Sequence, residues 1–278
     1  MPVVKKQTRK PIVGKASKAN GVVGRIAPVS YHERKDAINI YGPSGSGKTT
    51  LACDWPKPLL LIGAEDGTRS VYNLKGVDFV RLEHTTEMPK LIEHIRESKY
   101  ETVVLDTATS FQAMTLKEIL GLEELPAQKS WGMASRDQYG QSALQTKEVL
   151  RQILRLAEEN VCHTLILAQE RRFESETHAD LIAPEVMASL TGSTVGWLNP
   201  ECDYIMQTFK RQAMEEKDFT IGKKVTTRKV ATEGVEYCLR VGPHPVYLTK
   251  FRTPKGRELP DILVDPDYGK ITSLMAGE

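Results

Sequence analysis

The run Gly42, Pro43, Ser44, Gly45, Ser46, Gly47, Lys48, Thr49 and Thr50 limits what this chain can fold into more than any other feature. It satisfies G-x-x-x-x-G-K-[ST], with an apolar strand-like segment before it at residues 38–41 and a helix candidate after it. Glycines let the backbone curl so that successive N–H groups face inward, and the positive end of the following helix deepens the anion site. Such a loop cradles phosphates. In that pattern Gly42, Ser44, Gly45, Ser46, Gly47, Lys48, Thr49 and Thr50 bind the nucleotide. The Lys48 ammonium reaches the β- and γ-phosphates, and the Thr49 hydroxyl goes to Mg2+. A glycine-rich turn without function needs neither flanking element, so ATP with Mg2+ is the expected ligand.

The rest of the chain agrees with the fold that such a loop requires. Apolar runs at residues 38–41, 59–62, 79–82, 102–105 and 164–167 read as strands, and most are apolar at successive positions. That pattern suits strands covered by helices on both faces. Residues 88–98 and 139–160 carry apolar side chains at helical spacing, the second with Leu150, Ile153, Leu154 and Ala157 in register. Strand and helix alternation predicts an α/β core with a mainly parallel sheet. After Asp203 the pattern becomes β-rich, with strands expected at 204–209, 224–230, 237–241 and 246–251 and breaks at Gly222, Gly234 and Gly242.

Charge divides the chain into a basic flexible arm at residues 1–30 and one domain at 31–278. The arm holds seven Lys or Arg and no acid, although the net charge of the whole is only +2. It reads either as a solvated leader or as an arm for nucleic acid phosphates or a neighbouring subunit. No apolar run reaches membrane-spanning length, and no secretory signal is visible. The four cysteines are far apart and form no Cys-x-x-Cys pair. A reducing cytoplasm, that of a host cell for a phage-encoded chain, is the expected location, with no membrane partner.

Two acids complete the catalytic expectation. Asp106 ends an apolar strand at the edge where the phosphate loop lies, placed to hold Mg2+ with Thr49 directly or through water. Glu65 follows the strand at 59–62 and is the candidate to orient or deprotonate an attacking water, with Asp66 as its rival.

From these residues onward the chain resembles the RecA-like P-loop ATPases. The run from Leu61 to Gly67 is similar to the family's stretch carrying the catalytic glutamate. Residues 131–136 resemble the end of its first DNA-binding loop, and 163–169 the strand ending in the glutamine that senses the γ-phosphate. The resemblance implies catalytic roles for Glu65, Lys48, Asp106 and Gln169, and DNA contacts by Arg136, Arg171, Arg172 and Phe173. Two cations beside a ring suit phosphates and a stacked base. Lys250 and Arg252, expected on a strand with both cations on one face, are similar to the pair that reaches across a subunit boundary into the neighbour's ATP. Basic residues between Lys217 and Lys229 offer a further DNA contact or a solvated hairpin.

Among RecA-like proteins the plan is most similar to the compact bacteriophage ATPases of the single-strand-annealing recombinase group. That resemblance implies an ATPase stimulated by DNA and ATP bound at the interfaces of a homo-oligomer. It also implies single-stranded DNA as partner, with a phage or host single-strand-binding protein beside it. A DnaB-like hexameric helicase motor and a nucleotide switch, or helicase loader, binding protein partners are the alternatives.

Overall fold

Successive apolar residues on the core strands turn out to serve two separate cores. In the strand Ala37–Gly42 (β1), Ala37 and Tyr41 enter one cluster while Ile38 and Ile40 enter the other. Side chains alternate along a strand, so this division means that both faces of the sheet are covered. The computed structural model describes residues 34–65, 71–122, 134–173, 185–221, 224–253 and 257–277. On one face lie α2 (Met88–Glu97), α3 (Ala108–Leu120), α4 (Arg136–Glu158) and α5 (Gly192–Glu201), contributing Ile92, Phe111, Leu150 and Leu198. On the other lie α1 (Lys48–Ala52) and α6 (Tyr268–Ala276), contributing Leu51, Ile271 and Met275.

The strands are β2 (Leu59–Gly63), β3 (Val77–Arg81), β4 (Thr102–Asp106), β5 (His163–Arg172), β6 (Val186–Ala188), β7 (Tyr204–Ile221), β8 (Lys224–Arg240) and β9 (Ile262–Val264). Among the described residues their order is β3-β2-β4-β5-β1-β7-β8-β9, with β6 antiparallel to the outer end of β5. The pairs from β3 to β7 are parallel, and β8 is antiparallel to both of its neighbours, β7 and β9. From β1 the chain therefore crosses to β2 and β3 at one side of the sheet, returns through β4 and β5, and passes β1 into β7 on the other side. Such a reversal leaves a crevice at the carboxyl ends of the strands, where ligands bind in open α/β sheets.

All five expected core strands are present, β3 beginning two residues earlier than its apolar run. Helix α4 starts three residues before the expected position because Ser135 and Gln138 form a capping box. The Ser135 hydroxyl accepts from the Gln138 N–H, and the Gln138 side chain accepts from the Ser135 N–H at 2.8 Å. Helix α3 is absent from the sequence expectation because Thr109, Ser110 and Thr115 dilute its helix propensity. It forms all the same, with Thr107 capping its first turn and Phe111 and Leu116 buried. Helix α6 is also unexpected in a section read as β-rich, though Asp267 at its start and Gly277 at its end are ordinary stop and start signals.

The closing section differs most. In place of separate strands at 204–209, 224–230 and 237–241 there is one long hairpin of β7 and β8. Gly234 does not end a strand. It lies in a bulge where the register shifts between Gln212 and Met214, so the expected break is absorbed as an irregularity. β7 pairs with β1 only as far as Gln207, and beyond it β7 and β8 continue as a two-stranded ribbon. The strand expected at 246–251 is reduced to isolated bridges, Val186 with Tyr247 and Ile205 with Lys250. Two carbonyls, Val186 O at 3.0 Å and Leu248 O at 2.8 Å, converge on the Tyr41 hydroxyl and fix that stretch to β1.

The four cysteines are buried and free. Loss of hydration pushes the Cys53 thiol up to about 11 and those of Cys162 and Cys202 up to about 12. No helix among the described residues is long and apolar enough to cross a membrane. The basic arm at residues 1–30 lies outside the described residues.

Candidate nucleotide site

The sheet order delivers the candidate residues along one edge. β5 sits between β1 and β4, so Gln169, the register partner of Gly42, stands between the phosphate loop and Asp106. Gly63 pairs with Asp106, and the Ala64 N–H donates to the Asp106 carbonyl at 3.0 Å, which brings Glu65 next in line. Neighbouring strands are about 4.8 Å apart, so the groups form a row rather than a scatter. They line a cavity of about 910 Å³ with residues 44–50 on one wall. Glu65, Asp106 and Gln169 form a second wall, and Tyr237 with residues 265–267 a third.

The third wall is held by packing from the other face. The Tyr268 N–H donates to Asp54 at 2.8 Å, and the Trp55 and Tyr268 rings meet edge to face at 5.4 Å between centroids. Such ring pairs contribute about 0.5–1.5 kcal/mol beyond burial. The Asp265 N–H donates to the Tyr237 carbonyl at 2.8 Å, which ties this wall to β8.

The loop has the shape its sequence requires. Gly45 and Gly47 have φ of 70° and 87°, left-handed values that tax any side chain bearing a Cβ. Gly47 caps α1, and the Ser46 hydroxyl lies 2.7 Å from that of Thr208, so β7 braces the loop from behind. The Lys48 ammonium donates to the carbonyls of Gly42 at 2.9 Å and Pro43 at 2.8 Å, and lies 3.4 Å from the Gln169 amide oxygen. The Thr49 hydroxyl donates to Asp106 at 2.7 Å.

Burial moves the two charged groups of the site in opposite directions. Burial pulls Lys48 below the ordinary lysine value, while Asp106, Glu170 and Glu65 act in the opposite direction. Burial raises Asp106 above the ordinary carboxylate value. The Thr49 hydrogen bond opposes that rise, Glu65 adds to it, and Lys48 opposes it. Lys48 is only 6% exposed, yet among the described residues it forms no ion pair. A buried ammonium whose neighbouring carboxylates all lie beyond ion-pair distance is costly. A polyphosphate supplies a close counter-charge, so the residues fit ATP.

They fit Mg2+ as well. Among the described residues there is no cage of three or more His, Cys, Asp or Glu. Mg2+ needs none beside a nucleotide, because phosphates and water complete its shell around one or two protein oxygens. Thr49 and Asp106 offer those oxygens side by side.

A parallel sheet with a strand between the loop strand and the acid strand, and this row of groups at its carboxyl edge, defines a P-loop ATPase. The chain belongs to an AAA domain family, whose model matches residues 34–253. A search of the curated proteins finds no match.

The remaining candidates lie elsewhere. Arg171 and Arg172 end β5 beyond Gln169 at the same edge, and Phe173 follows directly after the strand. The Arg171 guanidinium lies 5.2 Å from the centre of the Phe173 ring, and Arg172 pairs with Glu185 at 2.6 Å. Arg136 is exposed at the first turn of α4. Asp66, residues 131–133, the rest of the second loop at 174–184, and Lys223 lie outside the described residues.

Lys250 and Arg252 are at the opposite edge, by the start of β7. Lys250 donates to the carbonyls of Asn199 at 3.2 Å, Pro200 at 2.9 Å and Cys202 at 2.5 Å, closing the end of α5. Arg252 pairs with Asp203 at 2.6 Å. Both cations thus point to one place without a regular strand to align them. The length of β1 separates them from their own phosphate loop, roughly 20 Å.

Several site residues carry no local sequence signal. Thr208, Lys210 and Tyr237 reach the loop only because β7 and β8 pass behind it. The Gln169 N–H donates to Thr109 at 3.0 Å, and Gln207 donates to Glu170 at 3.0 Å, both long-range contacts. No spacing rule links such positions.

Proposed function

We propose that this ATPase is an ATP-dependent recombination protein that binds single-stranded DNA and works as a homo-oligomer, most like the compact phage annealing recombinases. The observation that carries the reading is the continuity of β5. Gln169, beside the Lys48 ammonium, and Arg171 lie two residues apart on one strand, and the Phe173 ring that Arg171 covers follows directly on its end. A shift of Gln169 toward a γ-phosphate moves the cation and ring that face the DNA. In this reading Glu65 orients the attacking water, Lys48 and the loop N–H groups hold the phosphates, and Asp106 and Thr49 hold Mg2+, which neutralises charge on the transferring group. Arg136 adds a phosphate contact. Lys250 and Arg252 act on the ATP of a neighbouring copy once released from α5 and Asp203.

The test is ATP hydrolysis with no DNA, single-stranded DNA and duplex DNA, together with sedimentation of the ATP-bound protein. Single strands are expected to stimulate hydrolysis, and Gln169→Ala to remove the stimulation while leaving ATP binding. A protein that stays monomeric with ATP and single-stranded DNA overturns the reading. One observation favours a second reading, a nucleotide switch for protein partners. Arg172 is already neutralised by Glu185, which leaves the strand with one free guanidinium for a phosphate. Failure to bind DNA at low salt, where phosphate contacts are strongest, selects that alternative.

A further inference from the structure

The ribbon of β7 and β8 starts beside the phosphate loop, and one of its inner cross-strand pairs faces that loop. Lys210 and Tyr237 are register partners, so their side chains share a face of the ribbon. A Cβ built on Gly45 would stand 3.7 Å from the Lys210 ammonium, and one built on Gly47 would stand 3.3 Å from the Tyr237 ring. The first is an ordinary contact distance and the second a tight one, so both side chains lie against the loop backbone, and glycine at 47 gives the ring its room. The next pair along the strands, Arg211 and Glu236, points to the other face and forms an ion pair at 2.7 Å. Lys210 differs from that neighbour. It is exposed, and among the described residues it makes neither an ion pair nor a hydrogen bond. An ammonium without an acid, held at the loop whose N–H groups receive phosphates, is placed for an anion.

We propose that Lys210 is a second phosphate-contacting cation of the nucleotide site, supplied by the same chain, and that with Tyr237 it makes the ribbon respond to bound nucleotide. This deepens the ATPase reading and rests on it. Lys48 is buried beneath the loop and Lys210 approaches Gly45 from the ribbon, so the two cations meet the phosphates from different sides. Tyr237 supports the contact through its backbone as well, since its carbonyl accepts the Asp265 N–H and so joins the ribbon to the third wall of the cavity. A two-stranded ribbon beyond the body of a sheet is marginal alone. Phosphate held by Lys210 fixes the root of β7, and ordering passes outward along the paired strands.

Calorimetric titration with MgATP of the full chain, Lys210→Ala, Lys210→Arg and Lys48→Ala tests the contact. Amide hydrogen exchange of the ribbon, with and without ATP, tests the response. Lys210→Ala is expected to weaken ATP binding about tenfold, the scale of one exposed charge-assisted contact. Lys210→Arg is expected to recover most of that loss, and the melting temperature without nucleotide to stay unchanged. ATP is expected to slow exchange across the ribbon of the unaltered protein and not across that of Lys210→Ala. Binding by Lys210→Ala equal to that of the unaltered protein overturns the contact. Protection that persists in that variant overturns the response. If the unaltered protein binds no ATP, or Lys48→Ala binds as well as it does, the ATPase reading falls first and takes this one with it.

Discussion

Lys48 and Lys250 are similar in isolation and opposite in role. Each is pulled below the ordinary lysine value by burial, and each donates to backbone carbonyls. Lys250 spends those bonds on the end of α5, where free carbonyls and the negative end of the helix attract a cation. Lys48 spends them on Gly42 and Pro43, at a loop that lines a cavity of about 910 Å³. One edge of the sheet thus leaves a buried charge in need of a ligand, while the other has satisfied its cations from the chain itself. Changes at the first edge should cost binding and turnover with little loss of stability, and changes at the second the reverse.

Lys48→Ala is expected to bring the largest effect, loss of ATP hydrolysis to background in a phosphate-release assay. Its melting temperature without nucleotide should stay close to that of the unaltered protein, since the cost of burying the charge and its attraction to the nearby carboxylates are removed together. A marked drop in stability would break the comparison. Glu65→Gln follows, with turnover reduced by roughly 10²–10⁴ and ATP affinity kept, as expected of a general base.

Asp106 gives the pH test. Its folded value is raised above the ordinary 3.8, so near and above that pH the folded state holds a proton that the unfolded state has released. Where the folded state binds more protons, stability falls as pH rises, until Asp106 has ionised in both states. Mg2+ needs the ionised form, so the Mg2+-dependent part of ATP affinity should rise over the same window and begin to fail, on acidification, above the ordinary aspartate range. Asp106→Asn should abolish that pH dependence in titrations at several pH values while raising the melting temperature of the free protein at neutral pH.

At the opposite edge, Lys250→Ala should lower the melting temperature by about 2–4 °C, the equivalent of about 1 kcal/mol at a helix end. ATP affinity measured on dilute protein should be unchanged. Mixing this variant with Lys48→Ala then sharpens the comparison: activity recovered in the mixture assigns Lys250 to a neighbour's site. The smallest expected effect is at Asn39, fully buried in β1 with both amide atoms unpaired among the described residues. Asn39→Leu should be neutral or stabilising by about 1 kcal/mol in denaturant unfolding.

The nucleotide site was legible wherever chemistry is local. The loop from Gly42 to Thr50 needs its glycines and Lys48 at fixed spacing, and strand ends placed Asp106, Gln169 and Glu65 before any tertiary contact was known. The ribbon was not legible in the same way. Gly222 read as a break and falls between β7 and β8. Gly234 read as a break too, yet β8 spans residues 224–240, and Gly234 became a bulge because the partner strand supplied the missing order. Residues 246–252 failed as a strand for the converse reason: without a neighbour for every residue, β propensity leaves only bridges.

By itself the sequence determined the α/β class, the phosphate loop and the acids that follow it, because each rests on spacing within a few residues. Only the tertiary structure decided that Thr208, Lys210 and Tyr237 stand behind that loop, and that Lys250 and Arg252 face α5 and Asp203 rather than their own phosphates. Those outcomes depend on which strands become neighbours, and strand order is set by the burial of both sheet faces at once, a quantity no short segment carries.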